Sequence, residues 1–312
     1  SDNANGCSSI TITTPTTISG FNDQLSAAIN GTTDMQFFAY TFNENSIAVV
    51  RLNSDIPFEP GIVSVDETQT PVFTYGDRIF SGSGNDIVIG GEERDTIISN
   101  HDTEHGDNEL SDDDIVFGDH GKLVYRDSGL HIGSLSQAIS TIPHVGNYDL
   151  INTGNGNDII LGGAFSDTIN SMGMSNEDQD IVIGDHADLT FGTDEHILNL
   201  TSLWPNIGGD DQIQSGKDGD IIIGGQGDDS ITTHLTNEAD QDIVLGDSGH
   251  INFEFDHSIK LATSIETAIG GDDHITTGGG PDIIIGGAAG DLITAGSAST
   301  DDTHRDIVLG DS

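Results

Sequence analysis

Gly154-Asn155-Gly156-Asn157-Asp158-Ile159-Ile160-Leu161-Gly162-Gly163 places four glycines, one carboxylate and three adjacent aliphatic residues within ten positions. Glycines alternating with asparagine make a turn, and an aspartate followed by a brief apolar run makes a strand too short to be a helix. A near copy stands at Gly82-Ser83-Gly84-Asn85-Asp86-Ile87-Val88-Ile89-Gly90-Gly91. Around these two stretches, Asp-x-aliphatic triplets recur every nine residues. They begin at Asp77, Asp86 and Asp95, then at Asp149, Asp158 and Asp167, then at Asp211, Asp220 and Asp229, and finally at Asp273, Asp282 and Asp291. The twelve nonapeptides keep register inside every triple. A nine-residue unit suits a three-residue strand and a six-residue turn, so stacked units predict a solenoid whose core is the aliphatic residue two places after each aspartate, with the flanking positions facing out.

A variable polar loop follows each triple, and then comes a hexapeptide. The four hexapeptides are Asp114-Ile115-Val116-Phe117-Gly118-Asp119, Asp180-Ile181-Val182-Ile183-Gly184-Asp185, Asp242-Ile243-Val244-Leu245-Gly246-Asp247 and Asp306-Ile307-Val308-Leu309-Gly310-Asp311. The hexapeptide reads as a second repeated element. After the first three of them an alternating strand is expected, at 122–125, 188–191 and 250–253, followed by a less regular segment that leads into the next triple. The array therefore divides into modules over 76–148, 149–210, 211–272 and 273–312, the last one truncated. Residues 1–75 hold only 4 of the 41 glycines but half of the 12 phenylalanines, which puts a domain boundary near Tyr75. This first part reads as a small β-rich cap or sandwich, with strands at Ile10-Thr11-Ile12-Thr13 and over 45–52 and a short helix over 24–29.

Composition narrows the chemistry. Asp and Glu total 53 against 8 Lys and Arg, a formal charge of −45, which self-repels strongly unless cations neutralise it and which excludes nucleic acid as a partner. The carboxylates are interleaved with Ile, Val and Leu instead of forming polar blocks, so the charge belongs to an ordered array. Cys7 is the only cysteine, so no intrachain disulfide framework exists and metal is the natural staple. No stretch has the roughly 18 apolar residues of a membrane-spanning helix, and the N-terminus lacks a basic-then-apolar leader, so a soluble chain without membrane insertion is expected.

Paired aspartates and turn carbonyls from adjacent nonapeptides supply hard oxygen ligands of the kind Ca²⁺ takes, six to eight at about 2.3–2.6 Å. The motif offers no thiolate and no regular histidine, which disfavours Zn²⁺ and Cu²⁺. The expected calcium ligands are the twelve nonapeptide aspartates together with Asp114, Asp119, Asp180, Asp185, Asp242, Asp247, Asp306 and Asp311 from the hexapeptides. An Asx-turn, in which the side chain caps its own backbone, is the competing role, and it weighs most for Asp119, Asp185, Asp247 and Asp311.

At Gly82–Gly91 and Gly154–Gly163 the sequence resembles the G-G-x-G-x-D-x-U-x nonapeptides of the repeats-in-toxin (RTX) family. The resemblance implies an all-β fold, a right-handed parallel β-roll or β-solenoid with structural Ca²⁺ between successive turns, export by a type I route and folding triggered by extracellular calcium. The family's liganding aspartates carry over to Asp86, Asp158, Asp220 and Asp282, and to Asp95, Asp167, Asp229 and Asp291. The chain departs from the family's long uninterrupted runs, because each run here stops after three. Gly91-Glu92-Glu93-Arg94 and Gly163-Ala164-Phe165-Ser166 also lack the second turn glycine, which predicts weak or empty sites there.

Catalysis is not expected. Carboxylate pairs abound, but each occupies a repeated position, whereas an active site should break the repeat. Neither a Gly-x-Ser-x-Gly elbow nor a His-Glu-x-x-His zinc helix occurs. His101 and His105 read as solvated loop residues, His120 and His186 as module features, and Trp204 as insert packing. Two roles remain in view. One is a secreted, calcium-dependent structural or adhesive protein at the cell surface, such as an adhesin stalk, surface-layer component or filament subunit, partnered by matrix components or by itself. The other is the secretion and folding module of a toxin or hydrolase. Self-association would join solenoid ends, with Ser9–Thr13 as a donor strand. On the order of ten calcium ions are expected in all.

Overall fold

The computed structural model describes residues 49–51, 76–99, 112–127, 133–173, 179–194, 196–233, 240–296 and 304–311, and all of the regular structure among them is β-strand. The chain shuttles between two stacked parallel sheets. The first contains Asp86–Ile89, Ile115–Phe117, Ile159–Leu161, Ile181–Ile183, Ile221–Gly225, Ile243–Asp247, Ile283–Gly287 and Ile307–Asp311, in that order. The second contains Arg78–Phe80, Thr96–Ile98, Leu150–Asn152, Thr168–Asn170, Gln212–Gln214, Ser230–Thr232, His274–Thr276 and Leu292–Thr294. This is the β-roll expected of the repeat, with one strand from each sheet making a rung.

The hexapeptides are not a separate element. Ile115–Phe117 lies between Asp86–Ile89 and Ile159–Leu161 in the first sheet, in unbroken parallel register (Val88↔Val116, Val116↔Ile160). A hexapeptide is therefore an ordinary first-sheet strand of a rung whose turns have been lengthened, and the apparent halt of the repeat after three units is an effect of loop insertion.

Each strand turns one residue inward, two places after its aspartate. Ile79, Val88, Ile97, Val116, Ile151, Ile160, Ile169, Val182, Ile213, Ile222, Ile231, Val244, Ile275 and Ile284 form one continuous core, with the more open Ile293 against it. The expectation that flanking residues face solvent holds for the second sheet only, where Leu150, Gln212, Ser230 and His274 are exposed.

Over the first sheet lies a third, antiparallel sheet built from inserts. Gly121–Tyr125 pairs with Leu135–Ser140, Ala187–Phe191 with Ile197–Ser202, and Gly249–Phe253 with Ile259–Ser264. Adjacent hairpins join through Leu189↔Ala138 and Leu200↔Ile251. The segments expected to be less regular are thus full strands, the return legs of hairpins. Their apolar residues Ala138, Leu189, Leu200 and Ile251 pack on Phe117, Leu161, Ile183, Ile223 and Leu245 of the first sheet, making a second core. Trp204 stays with its insert, edge-on to His186 at 5.3 Å between ring centroids.

Within the expected strand over 45–52, Val49–Arg51 pairs antiparallel with Asp86–Ile89 at the edge of the first sheet. The expected Ile10–Thr13 strand, the helix over 24–29, the boundary at Tyr75 and the His101/His105 loop lie outside the described residues.

Candidate metal centre

Between each aspartate and its strand the geometry is the same. The carboxylate is drawn back under the strand, and its Oδ1 accepts the backbone N–H of the aspartate one rung earlier. Along the second sheet, Asp77 N–H donates to Asp95 at 2.6 Å, Asp95 to Asp149 at 2.7 Å, Asp149 to Asp167 at 2.6 Å and Asp167 to Asp211 at 2.7 Å. The series runs on through Asp211, Asp229, Asp273 and Asp291. Along the first sheet a matching ladder passes from Asp86 through Asp114, Asp158, Asp180, Asp220, Asp242 and Asp282 to Asp306. The twelve nonapeptide aspartates and the four that open the hexapeptides therefore fall into two continuous columns.

One oxygen of every carboxylate after Asp77 and Asp86, which head the columns, is thus occupied, and the other is the informative one. Oδ2 is buried without a hydrogen-bond donor on Asp95, Asp114, Asp149, Asp158, Asp167, Asp211, Asp220, Asp229 and Asp273. The Ser99, Thr153 and Ser215 hydroxyls face Asp114, Asp158 and Asp220 and offset a part of the burial. An unpaired buried carboxylate costs on the order of several kcal/mol. Burial accordingly raises the carboxyl pKa to about 7 at Asp114 and Asp242 and to about 8 at Asp95, Asp149 and Asp273. Asp158, Asp167, Asp211, Asp220 and Asp229 are pushed well above the ordinary carboxylate range, by burial first. Asp77, at the more open end, rises to about 6.

The glycine that ends each strand of the first sheet shapes the space beside Oδ2. A Cβ built on Gly162 would stand 2.1 Å from the Gly184 carbonyl oxygen and 2.4 Å from Asp167 Oδ2. Gly90, Gly118, Gly184, Gly224 and Gly246 meet the same pair of oxygens, a carboxylate and a carbonyl of the next rung. Unpartnered carboxylate oxygens beside backbone carbonyls form an all-oxygen donor set that suits a hard divalent cation of the Ca²⁺ type and offers nothing to a soft one. The residues present fit structural calcium.

Asp119, Asp185 and Asp247, which close the hexapeptides, are buried beside the second-sheet column, near enough to Asp95, Asp149 and Asp167, to Asp211 and Asp229, and to Asp273 and Asp291 for like charges to repel, and they also hold backbone. Asp185 Oδ1 accepts the Gly209 N–H at 3.2 Å and Oδ2 the Gln226 N–H at 2.6 Å. Asp119 holds Asn147 and Ala164 in the same way, and Asp247 holds Gly271 and Ala288. With both oxygens engaged, each fastens the exit of an insert to the turn of the following rung. Asp311 ends the final strand, paired with Gly287, and its side chain lies outside the described residues.

Two features escaped the sequence reading. Gly208 brings backbone against Asp185, since a Cβ there would lie 2.0 Å from Oδ2, and Gly146 and Gly270 do the same at Asp119 and Asp247. The second is the turn position two residues before the aspartate, which takes a left-handed conformation in Gly84, Gly156, Gly227 and Gly280, and equally in Glu93, Phe165, Asp218 and Ala289. The turns that lack the second glycine keep its backbone shape, and Asp95 and Asp167 hold their places in the ladder.

Compared with known protein families, the chain matches the RTX calcium-binding nonapeptide repeat in four copies, at residues 74–100, 147–169, 207–235 and 267–299. Each match spans one triple and leaves out the hexapeptides and hairpins. No curated protein and no solved structure matches the chain.

Proposed function

The chain is an RTX calcium-binding repeat protein, and from that premise we propose that it serves outside the cell as a calcium-set structural or adhesive rod, without catalysis of its own. The supporting observation is the column of buried, unpartnered Oδ2 atoms. A chain of charge −45 cannot bring these carboxylates into register unless something takes up the charge. Calcium, when bound, supplies positive charge between rungs. Asp95, Asp149, Asp167, Asp211, Asp229 and Asp273 would hold it along one edge, and Asp114, Asp158 and Asp220 along the other. The residues themselves do the rest: Oδ1 sets the register, glycine admits the close approach, and the Ile/Val column excludes water. Ion binding then becomes folding free energy, so the rod assembles in calcium-rich surroundings and stays unfolded where calcium is scarce, which suits export of an unfolded chain.

A structural role is favoured over catalysis because the buried carboxylates obey the repeat, and a reaction centre needs carboxylates in unlike environments. The adhesive surface would be the flat outer face of the second sheet, where Asn152, Thr168, Gln212, Gln214, Ser230 and Thr232 line a shallow recess of about 300 Å³.

The test is circular dichroism of calcium-stripped protein during calcium titration, with magnesium as the control. A cooperative rise in β signal with calcium alone is expected. A spectrum already fully folded in chelator would overturn the calcium-driven reading.

A further inference from the structure

Away from both aspartate columns, at the tips of the insert hairpins, three side chains of a different chemistry converge. Asp194 and His196 lie on the turn between Ala187–Phe191 and Ile197–Ser202, and His257 lies on the turn between Gly249–Phe253 and Ile259–Ser264. One carboxylate oxygen and one ring nitrogen from each histidine fall within 4.8 Å of one another. His257 Nε2 is 3.4 Å from Asp194 Oδ2 and His196 Nδ1 is 3.9 Å from it, while the imidazoles stack at 3.6 Å between centroids.

We propose that Asp194, His196 and His257 form a site for a transition-metal cation of the zinc class, which clamps the hairpin of one module to that of the next. A tetrahedral ion with bonds of about 2.0–2.1 Å holds neighbouring donor atoms roughly 3.3 Å apart, close to the spacing already present. Two imidazoles and a carboxylate are the donors zinc takes when it keeps a fourth position for water, and calcium has little use for imidazole nitrogen. All three groups are partly exposed, so their side chains can turn to meet an ion without moving the sheet. His257 is held at its tip by a left-handed backbone, φ 67°, an unfavourable conformation for a residue with a side chain.

The preceding junction between hairpins shows what such a place calls for. There Arg126 donates to Ser134 and Leu135 of its own hairpin and to the Phe191 carbonyl of the next. A guanidinium bridges the first and second hairpins. Between the second and third hairpins the corresponding place carries the Asp-His-His set, which completes a positive bridge by taking up an ion.

The test uses the full chain kept folded in millimolar calcium and titrated with Zn²⁺ by calorimetry, with Co²⁺ absorption as the spectroscopic counterpart. Wild-type protein should bind one zinc equivalent that His257→Ala and Asp194→Asn each lose, along with the visible bands of tetrahedral cobalt. Zinc held elsewhere, for instance by the His101/His105 loop, would be common to all three proteins and drop out of the comparison. Identical zinc stoichiometry, affinity and cobalt spectra in wild type and variants would overturn the proposal. The calcium-induced β signal, recorded on the same samples, reports separately on the rod, because exposed side chains at a hairpin tip do not contribute to the aspartate columns.

Discussion

The backbone N–H of Asp114 donates to Oδ1 of Asp158 at 2.8 Å across 44 residues of sequence, and that separation contains an entire hairpin. The contact has the same form across a separation of 22, between Asp158 and Asp180. Register is thus set by the carboxylate and not by loop length, and Asp158 both accepts one rung and donates to the next. Asp158→Asn keeps an oxygen for Asp114 but removes the charge and the free Oδ2. The expected outcome is fewer bound calcium ions by equilibrium dialysis and a higher calcium midpoint for folding, with the final β content retained in excess calcium.

Acid should partly replace calcium. The carboxyl pKa values of Asp95, Asp114, Asp149, Asp242 and Asp273 rise from 3.8 to about 7–8 on folding, through burial first. The cation-free roll therefore binds more protons than the unfolded chain, and its stability falls as pH climbs from about 4 to about 8. Calcium-stripped protein should gain β signal on acidification through that window and lose it on return. Calcium-loaded protein should show the opposite slope, because protons compete with the ion for the same oxygens. Loss of β structure by the stripped chain on acidification would contradict the burial described here.

Gly162→Ala probes the cradle. Its Cβ would meet the Gly184 carbonyl at 2.1 Å and Asp167 Oδ2 at 2.4 Å; the first is backbone, and the second belongs to a carboxylate held through Oδ1 by the Asp149 N–H. Strain of about 1–3 kcal/mol is expected from the overpacking, together with weakened calcium binding at that rung. Thermal melting at fixed calcium would read the first effect, and stoichiometry the second.

Phe165→Gly should stabilise the protein. Phe165 sits at φ 68° with its ring exposed, where the equivalent turns use Gly84, Gly156 and Gly227. Relief of the left-handed penalty is worth about 1–2 kcal/mol per residue, less the roughly 0.5–1 kcal/mol that glycine's added chain entropy costs. A raised melting temperature with unchanged calcium stoichiometry is expected, and Ala289→Gly, at φ 67°, should behave alike.

The rungs were legible because their chemistry is periodic. An aspartate with an aliphatic residue two places on identifies every inward side chain from Ile79 to Ile293, including those of the hexapeptides. What went unread was the alternation inside that period. Two places after the inward residue, the second sheet has a small hydroxyl residue at Ser99, Thr153, Ser171, Ser215, Thr233 and Thr277, whereas the first has glycine at Gly90, Gly118, Gly162, Gly184, Gly224 and Gly246. The first sheet also carries aliphatic residues on both flanks, as in Ile159-Ile160-Leu161, against Gln212-Ile213-Gln214 in the second. Apolar flanks on one sheet alone require a cover, and that requirement was the available signal for the hairpin layer. The pairing of Asp185 with Gly208, and the meeting of Asp194 with His257 across 63 residues, have no periodic trace and depend on how the inserts fold back.

The hairpin layer decides how the rod would give way under tension. A bare solenoid pulled along its axis could peel one rung at a time, releasing as few as 18 residues, the separation of Asp149 from Asp167. Here the hairpins of the first three modules are stitched together through Leu189↔Ala138 and Leu200↔Ile251, so freeing a rung beneath them drags a hairpin out of a shared sheet. The yielding unit becomes the 62-residue module from Asp149 to Asp211, and each rupture would pay out roughly 200 Å of chain, giving a tether that lengthens in a few large steps.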